Sequence, residues 1–170
     1  VVFDSDDLSA LKTGSMRVQV TELAQKDVWQ SDLITDKNKT DTVNAGIITI
    51  NGKDIDTNGK SYSDVVKEIN KIDGVQASLV ENSAGEFRLS IKSTETGAAN
   101  KINFNTKDTS GNDLGVSVGA AKLFGDGSIL NDDLNVLKAQ DMELTADGVN
   151  YSSSSNTVTI DGLKITATKE

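Results

Sequence analysis

The sequence predicts an α+β protein, mostly antiparallel β, in two small domains with one short helix at about 63–72. Three observations predict it. Apolar residues alternate with polar ones in several short runs, and those runs are joined by Asn-Gly and Asp-Gly pairs, the signature of two-residue hairpin turns. Only one stretch, Tyr62 to Ile72, switches to a spacing of three and four. Composition agrees: 36% hydrophobic residues, four Phe, two Tyr and one Trp favour several small Val, Ile and Leu cores over one large aromatic core. With 14 Gly and no Pro, every sharp bend must come from Gly, Asn, Asp or Ser.

The first clear element is SMRVQVTEL, in which Met16, Val18 and Val20 share one face of a strand and Arg17, Gln19 and Thr21 the other. LAQKDVWQSDLI follows with irregular spacing and reads as an extended or partly strand-like crossing anchored by Trp29. The polar run from Thr35 to Thr42 reads as a loop or a domain boundary. Ile47 to Ile50 is β-branched and leads into Asn51-Gly52, so a type I′ hairpin is expected there.

After Asn58-Gly59 the helical stripe begins: Tyr62, Val65, Val66, Ile69 and Ile72. Ser61 and Asp64 form a start signal, and Gly74 stands where a left-handed C-terminal cap belongs. Val75, Ala77 and Leu79 then alternate, Glu81 to Gly85 turns the chain, and Phe87, Leu89 and Ile91 alternate again. Hairpin, helix and hairpin together make a module from about Gly46 to Phe104. From Asn105 to about Asp133 the chain is Gly-rich and acidic, with a weak apolar patch at Val116, Val118, Leu123 and Phe124. Alternation returns at Met142, Leu144 and Ala146, turns at Asp147-Gly148, and continues through Val149 and Tyr151. Beyond the solvated loop Ser152 to Asn156, TVTIDGLKITA is a second hairpin around Asp161-Gly162.

Charge and residue inventory exclude much chemistry. A net charge of −9 opposes binding to nucleic-acid phosphates or to an anionic membrane. The absence of Cys and His removes disulfides, thiolate zinc sites, cysteine nucleophiles and imidazole-based triads. No apolar run approaches membrane-spanning length and no leader is visible, while the abrupt start and finish suggest a piece of a longer chain. The acidic loops at Asp108 to Asp113 and Asp36 to Asp41 space oxygens as a calcium loop does. Both carry Asp where that loop needs Gly, and end on Gly119 or Ile47 where it needs Glu. The pairs Asp6-Asp7 and Asp132-Asp133 read as solvated faces. No phosphate-cradling Gly-rich motif is present. Asn38-Lys-Thr40 and Asn150-Tyr-Ser152 match the minimal glycosylation sequon, which matters only on a glycosylating export route. No catalytic, metal or cofactor-binding residue is therefore expected, and the residues alone point to a non-enzymatic interaction protein.

Three stretches together carry a resemblance: GSMRVQVTELAQ (14–25), the segment from Ile48 to Asn100 that ends in STETGAAN, and LKAQDMELTADGVNYSSSSNTVTIDGLKITA (137–167). In this order they resemble the head of the bacterial flagellar filament cap (hook-associated cap) family, the middle one being similar to a module shared with flagellins. The resemblance implies one domain inserted in the other: 1–43 with 134–170 as a discontinuous β-rich head domain, and 44–133 as the insertion. It also implies a structural role at the flagellum tip, retaining flagellin and promoting its assembly. Implied partners are further copies of the chain in a ring, and flagellin. The implied route is the flagellar secretion apparatus, without a cleavable signal. Two other readings stand beside it: an outer domain of a flagellin or hook–filament junction protein, and a surface adhesin that binds host surface or mucin. The resemblance does not name oligomer-interface residues.

Overall fold

A computed structural model describes residues 1–4, 14–35 and 38–168. In chain order its elements are β1 (Val2–Asp4), β2 (Val18–Glu22), β3 (Val28–Gln30), β4 (Ile47–Ile50), β5 (Lys53–Asp56), α1 (Tyr62–Ile69), β6 (Val75–Glu81) and β7 (Phe87–Ser93). They continue with β8 (Asn105–Lys107), β9 (Asp113–Val116), α2 (Val118–Leu123), β10 (Asn135–Leu137), β11 (Met142–Ala146), β12 (Val149–Ser153), β13 (Thr157–Ile160) and β14 (Leu163–Thr166). Every strand pairing is antiparallel, so the α+β class expected from the alternation holds.

The chain divides into two compact units. The first comprises Val1–Lys26, Glu95–Lys101 and Lys138–Glu170; the second comprises Asp27–Thr94 and Ile102–Leu137. This corrects the expected boundaries at 43/44 and 133/134. Trp29 lies in β3 and pairs with β7, and both Trp29 and Leu134 are buried in the second unit's core. The polar run before Val43 is not a linker either: the carbonyls of Lys39 and Asp41 accept from the Ser63 and Tyr62 amides at the start of α1. A polar run marks solvent exposure as readily as a boundary, and here it supplies acceptors for two amides of the first helical turn that Ser61 does not cap.

In the first unit, β12–β11–β2 and β1–β14–β13 form two three-stranded sheets. Met142, Leu144, Ala146, Ile160 and Ile165 fill the core, with Val18, Val20 and Tyr151 packed against it. These are the inward positions of the alternation that the sequence displays. Asp147-Gly148 and Asp161-Gly162 make the hairpin turns, both residues of each pair at positive φ.

In the second unit the main sheet runs β10–β3–β7–β6, flanked by the hairpins β4–β5 and β8–β9 and the two helices. The β6–β7 register runs unbroken from Val75↔Ser93 to Glu81↔Phe87. The side chain of Asn70 both accepts from Ala77 N and donates to Ala77 O, standing in for a neighbouring strand at that edge. Asn70 is also the C-cap of α1, which ends at Ile69, three residues short of the expected 72; Gly74 takes positive φ in the turn beyond rather than at the cap.

A second helix, α2, occupies part of the Gly-rich stretch for which no element was expected. It is six residues long and presents buried Gly119, Ala120 and Ala121, a small-residue face that shows no strong apolar periodicity. Its close seat on β4 needs those residues: a Cβ on Gly119 would meet Ile47 O at 2.6 Å and Ile48 N at 2.8 Å. At its end Phe124 joins Trp29 and Phe104, with ring centroids 6.3 and 5.4 Å away. Trp29, Phe104 and Phe124 thus share the second unit's core, while Tyr151 packs against the core of the first.

Two outcomes follow for urea unfolding read by Trp29 fluorescence. Gly119→Ala should cost about 1–3 kcal/mol by lifting α2 off β4. Ser61→Ala should cost about 1 kcal/mol, because Ser61 Oγ accepts from Asp64 N and caps α1.

Candidate functional site

A buried polar centre in the second unit is built around Asp27. Asp27 is 1% exposed and is the one buried carboxylate among the described residues. Its Oδ2 accepts from Ile102 N at 2.8 Å and Trp29 Nε1 at 3.2 Å, and its Oδ1 accepts from Asn135 Nδ2 at 2.9 Å. Its backbone pairs with Ser93: Asp27 N donates to Ser93 Oγ at 3.0 Å, and Ser93 N donates to Asp27 O at 2.8 Å. Asn135, itself buried, also donates to Val28 O and Leu137 O at 3.1 Å each. An unpaired carboxylate in such a place would be costly, so these donors are what permit the burial.

Within the first unit a parallel arrangement surrounds Gln25. Its backbone pairs with Gln140, and its carbonyl accepts from Gly97 N at 3.0 Å. Ala98 N donates to Asp141 Oδ1, and Thr96 Oγ1 donates to Ser154 O. Gly97 is at φ +107, and a Cβ there would lie 2.7 Å from Ser154 Cβ. The phrase STETGAAN therefore spans the end of β7 and a short excursion into the first unit, held by hydrogen bonds of Thr96, Gly97 and Ala98.

Neither the Asp27 nor the Gln25 arrangement was singled out from the sequence. Asp27 is one of 26 acidic residues, and its partners other than Trp29 lie 66 to 108 positions away. The only local hint is an Asp directly before the apolar pair Val28-Trp29.

The acidic loops that were weighed do not assemble into a metal site among the described residues; no group of three or more acidic side chains there could hold an ion. Asp108 closes the β8–β9 turn on itself, accepting from Asn112 Nδ2 and from the amides of Asn112 and Ser110. Asp41 accepts from Asn38 N, while Asp36 and the pair Asp6-Asp7 lie outside the described residues. Asp132 and Asp133 form an exposed 3-10 turn capped by Asn131. Of the two sequons, Asn38 is exposed beside a turn and Asn150 lies in β12 opposite Thr145.

Two open grooves lie in the second unit. One of about 430 Å³ runs between β5 and the end of α1, past Lys53, Asp54, Glu68 and Lys71; another of about 710 Å³ is bordered by Asp32, Asp126, Ile129 and Asp132. The carboxylates of both are exposed or half-buried, and Glu68 is paired with Lys71 at 2.7 Å. Neither groove holds the pair of close, buried carboxylates that acid–base chemistry would use.

Several exposed carboxyls are held below their usual range by hydrogen bonds. For Asp64 the first cause is Lys67, then Ser61; for Asp108 it is the Asn112 side chain; for Asp113 it is Asn105; for Asp126 it is the amides of Ile129 and Ser128.

With this geometry in hand, the chain can be compared with known proteins. No family model matches it. Among curated proteins, flagellar hook-associated protein 2 of Campylobacter jejuni is 30% identical over 195 aligned positions, which cover 94% of this chain. The chain spans 30% of the length of that relative. Among solved structures, the D2-D3 domains of the flagellar cap protein FliD from Escherichia coli superpose with a TM-score of 0.72 at 24% identity, over 98% of this chain and 88% of that one.

The chain has the fold of the flagellar cap D2-D3 domains. The corresponding domains from Serratia marcescens agree, with a TM-score of 0.68 at 20% identity over 99% of this chain and 94% of that one. The resemblance to the flagellar cap family read from the sequence is thus borne out in both sequence and fold.

The lowered carboxyls set a pH dependence. Their folded pKa values lie below the unfolded ones, so the stability they contribute is present above the ordinary carboxyl range and is lost as pH falls through the folded values. Urea midpoints should therefore hold steady down to about pH 5 and drop below about pH 4. In Asp108→Asn the midpoint should be lower at neutral pH and the acid drop shallower.

Proposed function

We propose that this chain is the head region of a flagellar filament cap subunit, a non-enzymatic structural protein that retains flagellin at the filament tip and promotes its assembly. The observation that carries the reading is the agreement of two independent likenesses, sequence and fold, each extending over nearly the whole chain. The absence of His and Cys and the exposure of the groove carboxylates fit a structural role.

On this reading the two compact units are the two head domains, the second inserted in the first and interrupted by the Glu95–Lys101 excursion. Further copies of the subunit form a ring at the tip. A closed ring of identical subunits needs a heterologous interface, in which two different patches of the chain meet. Flagellin is the second partner, and export is by the flagellar secretion apparatus. A charge of −9 fits a protein that contacts neither nucleic acid nor an anionic membrane surface.

Deletion of the source gene should leave cells with short or absent filaments and with unpolymerised flagellin in the medium, measured by electron microscopy and by immunoblotting of culture supernatant. Filaments of normal length would overturn the proposal.

A further inference from the structure

The ends of both segments of the second unit meet at Asp27, Ser93 on its backbone and Ile102 and Asn135 on its carboxylate. Asp27 opens the first segment and Ser93 stands one residue before its end; Ile102 opens the second and Asn135 stands two residues before its end. Asp27 is hydrogen-bonded to all three of the others, across sequence separations of 66, 75 and 108 residues. The same unit also has the long-range ladders β3–β7 and β10–β3, beside a set of local contacts. Leu79 faces Leu89 across a hairpin, Ile48 faces Ile55, and Ser61 caps the helix it begins.

Long closures cost chain entropy before any contact repays it, so local hairpins form ahead of them. The Asp27 cluster adds a second constraint. A buried carboxylate is tolerated only when its donors are in place, and one of them, Asn135, comes from near the far end of the unit. A partly assembled cluster therefore gains little.

We infer that Asp27 is a late-closing latch: it locks the chain ends of the second unit together at the close of folding and takes no part in the folding nucleus. For a chain delivered N-terminus first, whether by synthesis or by export, the second unit stays unlatched until Asn135 arrives. The inference rests on the contact pattern alone and stands apart from the cap reading.

The single Trp of the chain reports on the latch directly, since Trp29 Nε1 donates to Asp27. Stopped-flow urea jumps on the whole chain, followed by Trp29 fluorescence, separate folding from unfolding. Asp27→Asn should unfold about 10- to 100-fold faster, while its refolding rate stays within about twofold of the unsubstituted chain. Leu79→Ala in the β6–β7 hairpin is the reference and should slow refolding. If Asp27→Asn does not fold, Asn135→Ala removes one donor only, and should speed unfolding by about 3- to 10-fold with refolding again unchanged. Slowed refolding in the latch variant, in the proportion seen for Leu79→Ala, would place Asp27 in the nucleus and overturn the inference. An unfolding rate that does not move would overturn it equally.

Discussion

Burying Asp27 is the constraint around which the second unit is organised. A carboxylate with almost no exposure needs donors from several directions, and here they come from the Trp29 indole, the Ile102 amide and the Asn135 side chain. Meeting that need brings β3, the end of β7, the start of the second segment and β10 to one place. The same contacts set the position of Trp29, whose ring makes T-shaped contacts with Phe104 at 5.5 Å and Phe124 at 6.3 Å. The polar cluster and the aromatic core beside it are therefore one construction: the hydrogen bonds orient the indole, and the packing keeps water from the carboxylate.

The first unit is held differently. Its core is aliphatic, drawn from the inward positions of β11, β13 and β14, and its chain closes when β1 pairs with β14, bringing Val2 opposite Thr166. Because such strand pairs need both partners present, each unit depends on residues far apart in the chain, and neither is a simple run of neighbouring hairpins. Local signals are strong all the same: each Asn-Gly or Asp-Gly turn specifies a hairpin register, and a one-residue slip would expose a whole face.

The acidic surface shows why many carboxylates need not imply chemistry. Asp108, Asp113 and Asp126 are spent on their own turns, accepting amides within a few residues. Such hydrogen bonds favour the charged form and shape the loop without drawing the carboxylates together. Among the described residues the acidic side chains are therefore numerous without gathering into a cluster that could hold an ion.

Read alone, the sequence determined the elements whose causes are local. The Asn51-Gly52, Asp147-Gly148 and Asp161-Gly162 hairpins, the Ser61 cap, the stripe of α1 and the alternation of β6 and β7 are all written within a few residues. The resemblance to the flagellar cap family was legible too, through three phrases in order. Tertiary structure decided everything that depends on separation. The unit boundaries moved from 43/44 to 26/27 because Trp29 finds its core on strands far along the chain. Helix α2 was hidden because Gly119 and Ala120 earn their place by letting backbones approach, which leaves no hydrophobic period to read. Asp27 looked like any other acid because burial is a property of its neighbours, and all of its named partners but Trp29 are 66 to 108 residues away.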